Sequence, residues 1–150
     1  MRKNKKNARS APVVLITGAS QGIGAALAKV FARELNGCRL ALVARNARKL
    51  QTVVRACAKA GATAEPFVCD VSDEMAVAKL AKAVKARFGI VDVLINNAGQ
   101  FVCAPFLETS VADFDKMLAA NLRSVFLVSR TFAPDMVRRG RGDIFNMSSV

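Results

Sequence analysis

The sequence contains no tyrosine and no histidine. Neither a phenol nor an imidazole is therefore available within these 150 residues as a proton donor or acceptor. No apolar run approaches the roughly 18 residues that a helix needs to cross a bilayer, which predicts no membrane span. No low-complexity linker or internal repeat divides the chain, so its length corresponds to one domain.

Cysteine is sparse, and no Cys-x-x-Cys pair occurs; the cysteines are Cys38, Cys57, Cys69 and Cys103. This spacing predicts buried free thiols in a reducing compartment, with a metal or disulfide role as the alternative. The apolar run after the basic N-terminus, Pro12 to Thr17, is too short for the core of a secretory signal. We therefore expect a cytoplasmic protein with no metal site.

Positive charge exceeds negative charge: 23 lysines and arginines stand against 11 aspartates and glutamates, a net charge of +12. Five of the basic residues lie within the first nine positions, and without them the balance is 18 against 11, or +7. This pattern predicts a disordered basic tail over residues 1–10 and solvated helix faces beyond it. Nucleic-acid binding through the tail is the less favoured alternative. A phosphate-bearing cofactor would also gain from such a field.

Short apolar runs alternate with segments of helical periodicity. The apolar runs begin near Val13, Arg39, Ala64, Val91 and Gly142, and the helical segments are Ile23–Leu35, Ala47–Ala60, Asp73–Phe88 and Val111–Arg138. Apolar strands separated by helices are typical of a parallel sheet covered on both faces. The sequence therefore predicts an α/β fold, a Rossmann-like doubly wound parallel sheet, over residues 11–150.

The last helical segment carries an apolar stripe that one amide interrupts. Asn121 lies within this stripe, whose other members are Phe114, Met117, Leu118, Leu122, Val125 and Phe126. A buried amide without a partner costs roughly 1–3 kcal/mol, so Asn121 needs a partner. A neighbouring loop is one candidate for that role.

A glycine-rich turn joins the first strand to the first helix, with the sequence Thr17-Gly18-Ala19-Ser20-Gln21-Gly22-Ile23-Gly24. Such a turn brings free backbone N–H groups and the positive end of a helix dipole to a phosphate. We expect Gly18 to form the turn, Gly22 to admit the ligand and Gly24 to pack the helix on the strand. Further contacts to a pyrophosphate are expected from Ser20, Gln21 and Ile23.

Four further motifs follow this turn along the chain. They are Asp70-Val71, Asn96-Asn97-Ala98-Gly99, Asn121-Leu122 and Phe145-Asn146-Met147-Ser148-Ser149. In this order the motifs resemble those of the short-chain dehydrogenase/reductase family. The resemblance covers the chain after Ser10 and corresponds to the N-terminal, cofactor-binding portion of a typical member. It implies an oxidoreductase that moves a hydride between a nicotinamide cofactor and a carbonyl or alcohol.

The resemblance also assigns cofactor contacts. The carboxylate of Asp70 and the backbone of Val71 are implied to bind the adenine, although aspartate at a strand exit is also a common turn or helix-capping residue. Asn96 is implied to brace the neighbouring strands. The ribose region is implied to be lined by Asn97, Ala98 and Gly99.

Arg45 bears on which nicotinamide cofactor the chain takes. Proteins that bind an unphosphorylated ribose usually place an acidic residue at the end of the second strand. Here the strand ends with Ala44 and is followed by Arg45, whose guanidinium can grip a 2′-phosphate by two hydrogen bonds. This favours NADP(H) over NAD(H), with a solvated surface arginine as the alternative. Many NADP-preferring relatives carry a basic residue where this chain has Gln21.

By resemblance, Ser149 bonds the substrate oxygen and Asn121 orders a water of the proton relay. For Ser149 the alternative is a strand-end hydroxyl bonded to local backbone. The family's proton donor belongs to a Tyr-x-x-x-Lys motif beyond that serine, and the sequence given ends at Val150 without it. We therefore expect an incomplete domain, truncated after the fifth strand, that binds cofactor weakly and turns over nothing measurable. A non-catalytic dinucleotide-binding module is the alternative function.

The resemblance implies a homodimer or homotetramer for the parent protein, acting on a small carbonyl or alcohol substrate of open identity, without a membrane partner. The fifth strand is expected at an open sheet edge, with apolar helix faces uncovered. Exposed edges and apolar patches favour association.

Overall fold

The computed structural model describes residues 11–148, so the predicted basic tail over residues 1–10 lies outside it. Within this part of the chain one parallel sheet is formed by Val13–Thr17 (β1), Arg39–Ala44 (β2), Thr63–Val68 (β3), Val93–Asn96 (β4) and Asp143–Asn146 (β5). The strand order is β3-β2-β1-β4-β5. Strand order reverses between β1 and β4, which is where doubly wound sheets bind ligands. The predicted fold class is confirmed.

The helices of the described residues are Gly22–Glu34 (α1), Ala47–Lys59 (α2), Glu74–Phe88 (α3), Val111–Leu118 (α4) and Ser124–Arg138 (α5). A short 3₁₀ turn, Phe106–Glu108, precedes α4. A π-helical turn, Ala119–Arg123, joins α4 to α5. The sequence predicts one continuous helix there, because a single extra residue in a helical turn leaves the apolar periodicity nearly unchanged.

The core consists of two apolar layers on opposite faces of the sheet. β1 is fully buried, and its side chains alternate between the layers. Val13 and Leu15 pack with α3 and α5, whereas Val14 and Ile16 pack with α1 and α2. Burial on both faces explains why β1 is apolar at every position except its last.

The two edges of the sheet differ from its centre. β3 is partly exposed and contains Pro66, a residue that an edge strand tolerates because one side of its backbone needs no partner. β5 is exposed along its whole length, which confirms the open edge expected there.

The apolar stripe predicted for the last helical segment does not enter the core. Phe114, Leu122 and Phe126 are 52%, 66% and 58% exposed, and Asn121 is exposed as well. The side chains of α5 that do enter the core are Leu127, Val128, Phe132 and Met136. The part of this segment that packs on the sheet therefore lies further along the chain than the predicted stripe, and the expectation of uncovered apolar helix faces is confirmed.

Three of the four cysteines are buried free thiols, as predicted, and Cys103 is exposed, which corrects the prediction for that residue. Burial, and to a smaller extent the nearby carboxylates of Asp70 and Asp73, raise the pKa of the Cys69 thiol to about 11. Within residues 11–148 no helix is long and apolar enough to span a membrane.

Candidate cofactor site

Reciprocal hydrogen bonds tie the carboxyl end of β1 to that of β4. The buried Thr17 hydroxyl accepts the backbone N–H groups of Asn97 and Ala98, both at 3.0 Å. In return the side-chain amide of Asn97 donates to the Thr17 carbonyl at 3.0 Å. The two loops that were predicted to hold the cofactor are therefore held together at the point where the strand order reverses.

The glycine turn packs against this junction with no room for a side chain. Gly18 has a φ of +67°, and a Cβ there would lie 2.9 Å from the Ala98 Cα. A Cβ on Gly24 would lie 2.5 Å from both the Gly18 carbonyl oxygen and the Asn97 side-chain nitrogen. Gly24 thus allows α1 to start directly on the turn, which is the packing that the sequence predicts.

The N-terminus of α1 is left without a side-chain cap. In the described chain Asn46, Asp73 and Ser110 cap α2, α3 and α4, but no side chain bonds to the first N–H groups of α1. Its first turn also contains no acidic residue. Gly22 faces open space and Ile23 is 62% exposed. Because uncapped N–H groups carry the positive end of the helix dipole, this terminus attracts an anion.

The two polar residues of the turn that precede α1 differ in their exposure to solvent. Ser20 is half-buried, whereas Gln21 is exposed. The Gln21 side-chain oxygen accepts a hydrogen bond of 2.9 Å from the Lys49 ammonium, which belongs to the first turn of α2. Sequence reasoning missed Lys49, because nothing in the local pattern of α2 indicates a partner 28 residues earlier.

Arg45 and Asp70 lie beside each other at the ends of β2 and β3. Arg45 Nη1 is 4.0 Å from Asp70 Oδ2, and the side chains are 67% and 47% exposed, so the ion pair is weak and leaves Arg45 free to bind an anion. The other Asp70 oxygen accepts two hydrogen bonds from Ser72, one from its hydroxyl at 2.7 Å and one from its backbone N–H at 3.0 Å. These bonds, and then the Arg45 charge, hold the pKa of Asp70 below its ordinary value. The turn-forming role considered for Asp70 is therefore present in the structure.

The residue after Asp70 is anchored in the core. The Val71 side chain is buried in the apolar layer that includes residues of α3. The Asp70-Val71 pair thus joins an exposed carboxylate to a fixed backbone position.

Asn121 pairs with the loop that follows β4. Its side-chain oxygen accepts the Gln100 N–H at 2.8 Å, and its side-chain nitrogen donates to the Gln100 carbonyl at 2.8 Å. A Cβ on Gly99 would lie 2.9 Å from the same Asn121 oxygen, so glycine is needed for the close approach. The neighbouring loop that was considered as a partner for Asn121 is thus the one that holds it, and the amide lies in the π-helical turn.

Asn96 braces the strands, as the resemblance implies. Its buried side-chain nitrogen donates to the Ser129 hydroxyl of α5 and to the Asn146 side-chain oxygen of β5, both at 2.9 Å. The predicted catalytic Ser149 lies outside the described residues.

The fold and the geometry of the turn define an α/β protein of the doubly wound, Rossmann-like class. Residues 12–150 match the family model described as short chain dehydrogenase. The chain therefore belongs to the short-chain dehydrogenase family.

Individual relatives agree with this assignment. D-threitol dehydrogenase of Mycolicibacterium smegmatis is 39% identical over 137 residues, which cover 91% of this chain and 52% of that enzyme. A metagenomic short-chain oxidoreductase in complex with NADP superposes with a TM-score of 0.88 at 42% identity, over 94% of this chain and 63% of that one. An alcohol dehydrogenase from the archaeon Thermococcus sibiricus, complexed with 5-hydroxy-NADP, superposes with a TM-score of 0.83 at 34% identity, over 89% of this chain and 57% of that one. The chain spans about half the length of the D-threitol dehydrogenase it matches.

Proposed function

We propose that this chain forms the NADP(H)-binding part of an oxidoreductase that transfers hydride between nicotinamide and a carbonyl or alcohol substrate. The observation that carries the proposal is the uncapped N-terminus of α1 directly behind the glycine turn. When bound, the nicotinamide ring supplies or accepts the hydride. The residues of this chain bind and orient the cofactor.

The pyrophosphate is assigned to the glycine turn. The close contacts of Gly18 and Gly24 pack the turn tightly against Asn97 and Ala98, and Gly22 faces open space. The backbone N–H groups at the start of α1, with Ser20, Gln21 and Ile23, are proposed to bind the pyrophosphate oxygens. A diphosphate satisfies N–H groups that the protein itself leaves uncapped.

The adenosine half is assigned to the ends of β2 and β3. Arg45 is proposed to grip a 2′-phosphate by its guanidinium, and its weak ion pair with Asp70 costs little to give up. The Asp70 carboxylate and the Val71 backbone are proposed to bind the adenine. Two structures similar to this chain are complexes with NADP or a modified NADP, which supports NADP(H) over NAD(H).

The nicotinamide half is assigned to the loop after β4. Asn97, Ala98 and Gly99 are proposed to line the ribose region, where the Thr17 hydroxyl fixes the backbone N–H groups of the first two. Asn121 holds the next residue, Gln100, and is proposed to order a water of the proton relay. Ser149 is proposed to bond the substrate oxygen.

Proton transfer to the substrate oxygen is not assigned to a residue of this chain, because its 150 residues contain neither tyrosine nor histidine. We propose that the chain as given binds cofactor without measurable turnover. For the parent protein we propose a homodimer or homotetramer in the cytoplasm.

The test is binding of NADPH and NADH to the isotopically labelled 150-residue chain, followed by NMR and by calorimetry. We expect shifts at residues 17–24 and tighter binding of NADPH than of NADH. The Arg45→Ala variant should lose about tenfold in NADPH affinity and little in NADH affinity. Arg55→Ala, an exposed arginine of α2, is the matched control and should change neither. Unperturbed resonances of residues 17–24 at saturating NADPH would refute the proposal.

A further inference from the structure

The hydrogen bond between Lys49 and Gln21 puts a positive charge beside the turn from a helix that the glycine motif does not include. The Lys49 ammonium lies 2.9 Å from the Gln21 side-chain oxygen. The charge therefore stands at the tip of the Gln21 side chain, close to where a longer basic side chain at position 21 would carry its own.

The backbone of Lys49 is fixed at the start of α2. Asn46 caps this helix by accepting the Lys49 N–H at 2.9 Å. Arg45 immediately precedes the cap, so Arg45 and Lys49 flank one helix N-terminus. Both side chains are exposed, so an anion can bind to them without a rearrangement of the core.

A groove of about 550 Å³ runs from this point between α1 and α2. Its lining includes Ser20, Gln21, Gly22 and Lys49, together with Lys29 and Arg33 of α1. None of the described residues that line it is acidic. The groove thus offers space and positive charge on the side of Gln21 that faces α2.

We infer that Lys49 is a cofactor-specificity residue, which supplies the second positive charge for the 2′-phosphate of NADP(H) beside Arg45. Its ammonium lies where a basic side chain at position 21 would carry its charge, and the Gln21 side-chain oxygen orients it. This inference rests on the proposed function, since it concerns the same cofactor. A second cation strengthens the bond to a dianionic phosphate and adds nothing for a ribose hydroxyl.

The test compares dissociation constants of NADPH and NADH for the 150-residue chain and for Lys49→Gln. We expect about a tenfold loss in NADPH affinity and less than a twofold change for NADH. Lys59→Gln, at the other end of α2, is the matched control and should leave both constants unchanged. In the double variant Lys49→Gln with Gln21→Arg, the cation returns at position 21 and NADPH affinity should recover. A circular dichroism spectrum of each variant checks that it is folded.

The outcomes separate this inference from the proposed function. If Arg45→Ala reduces NADPH affinity and Lys49→Gln does not, the role of Lys49 is refuted and NADP(H) binding stands. If Lys49→Gln weakens NADPH and NADH equally, Lys49 acts on a phosphate that both cofactors share, and the specificity role is refuted. If the unaltered chain binds neither cofactor, the proposed function and the role of Lys49 fall together.

Discussion

Thr17 and Asn97 hold each other by reciprocal hydrogen bonds, in which the Thr17 hydroxyl accepts the Asn97 N–H and the Asn97 amide donates to the Thr17 carbonyl. The two residues end β1 and follow β4, at neighbouring positions of the sheet. The same Asn97 amide stands against Gly24 of α1. One pair of side chains thus sets the distance between the turn proposed for the pyrophosphate and the loop proposed for the ribose.

Replacing Thr17 by valine should destabilise the chain while filling the same space. The side chain is only 2% exposed, and two backbone N–H groups would lose their acceptor. We expect the free energy of unfolding to fall by about 1–3 kcal/mol, measured by urea denaturation. Thr17→Ser keeps the hydroxyl and should lose less. Equal stability of the valine variant and the unaltered chain would show that the two N–H groups find other partners.

Replacing Gly24 by alanine should shift the start of α1. The added Cβ would meet the Gly18 carbonyl oxygen and the Asn97 amide at 2.5 Å, and neither can withdraw without breaking the junction of β1 and β4. Overpacking of this kind costs about 1–3 kcal/mol. We expect that loss in urea denaturation, together with loss of NADPH binding by calorimetry. Ala26→Ser adds one atom on the exposed face of the same helix and should do neither.

The strands, the four helical segments and the glycine turn could be predicted from the sequence because their signals are local. The five residues of β1 and the turn after it are adjacent, and a helix that packs on that turn requires glycine at position 24. The predicted boundaries differ from the observed ones by at most two residues, apart from the π-helical turn that divides the last helical segment. The ends of helices and strands depend on caps and pairing as well as on pattern.

Features that depend on contacts between distant elements could not be predicted in the same way. The apolar residues around Asn121 predicted a buried stripe, but the residues of this segment that enter the core follow it, from Leu127 to Met136. The bond between Gln21 and Lys49 joins two polar residues 28 positions apart, each of which looks like an ordinary solvated side chain. An amide inside an apolar stripe predicts that Asn121 has a hydrogen-bonding partner. The identity of that partner could not be predicted, because Asn121 bonds the backbone N–H and carbonyl of Gln100 and not its side chain.

Removing the Ser72 hydroxyl should raise the pKa of Asp70. That pKa is lowered first by the Ser72 hydroxyl bond, then by the Ser72 N–H and then by Arg45. A lowered pKa in the folded state means that these bonds stabilise the fold above the ordinary carboxyl pKa, and that this contribution is lost as pH falls through the folded pKa. Since Asp70 is about half exposed, the contribution to stability is small and the pKa is the better readout.

We expect Ser72→Ala to move the pKa of Asp70 upward, toward its ordinary value, in a carboxyl-carbon NMR titration. Ser110→Ala is the matched control. The Ser110 hydroxyl is the first cause of the lowered pKa of Asp113, so this variant should raise the Asp113 value and leave that of Asp70 in place. If the pKa of Asp70 is the same in Ser72→Ala as in the unaltered chain, the backbone N–H of residue 72 and the Arg45 charge are sufficient to lower it.

Replacing Arg139 by methionine should weaken the end of the sheet that lies opposite the cofactor site. Arg139 pairs with Asp92 at 2.9 Å and donates to the Val91 carbonyl at 2.7 Å, while Asp92 also accepts the Val13 N–H at 2.8 Å. The paired side chains are only 18% and 25% exposed, so water cannot fully replace the lost partner. We expect about 1.5–3 kcal/mol less free energy of unfolding in urea. Its neighbour Arg138 is 67% exposed, and Arg138→Met should change stability by less than about 0.5 kcal/mol. Because the Arg139–Asp92 pair is far from the glycine turn, the NADPH affinity of the folded Arg139→Met chain should be unchanged. If the two methionine variants are equally stable, the ion pair with Asp92 contributes no more than a surface contact.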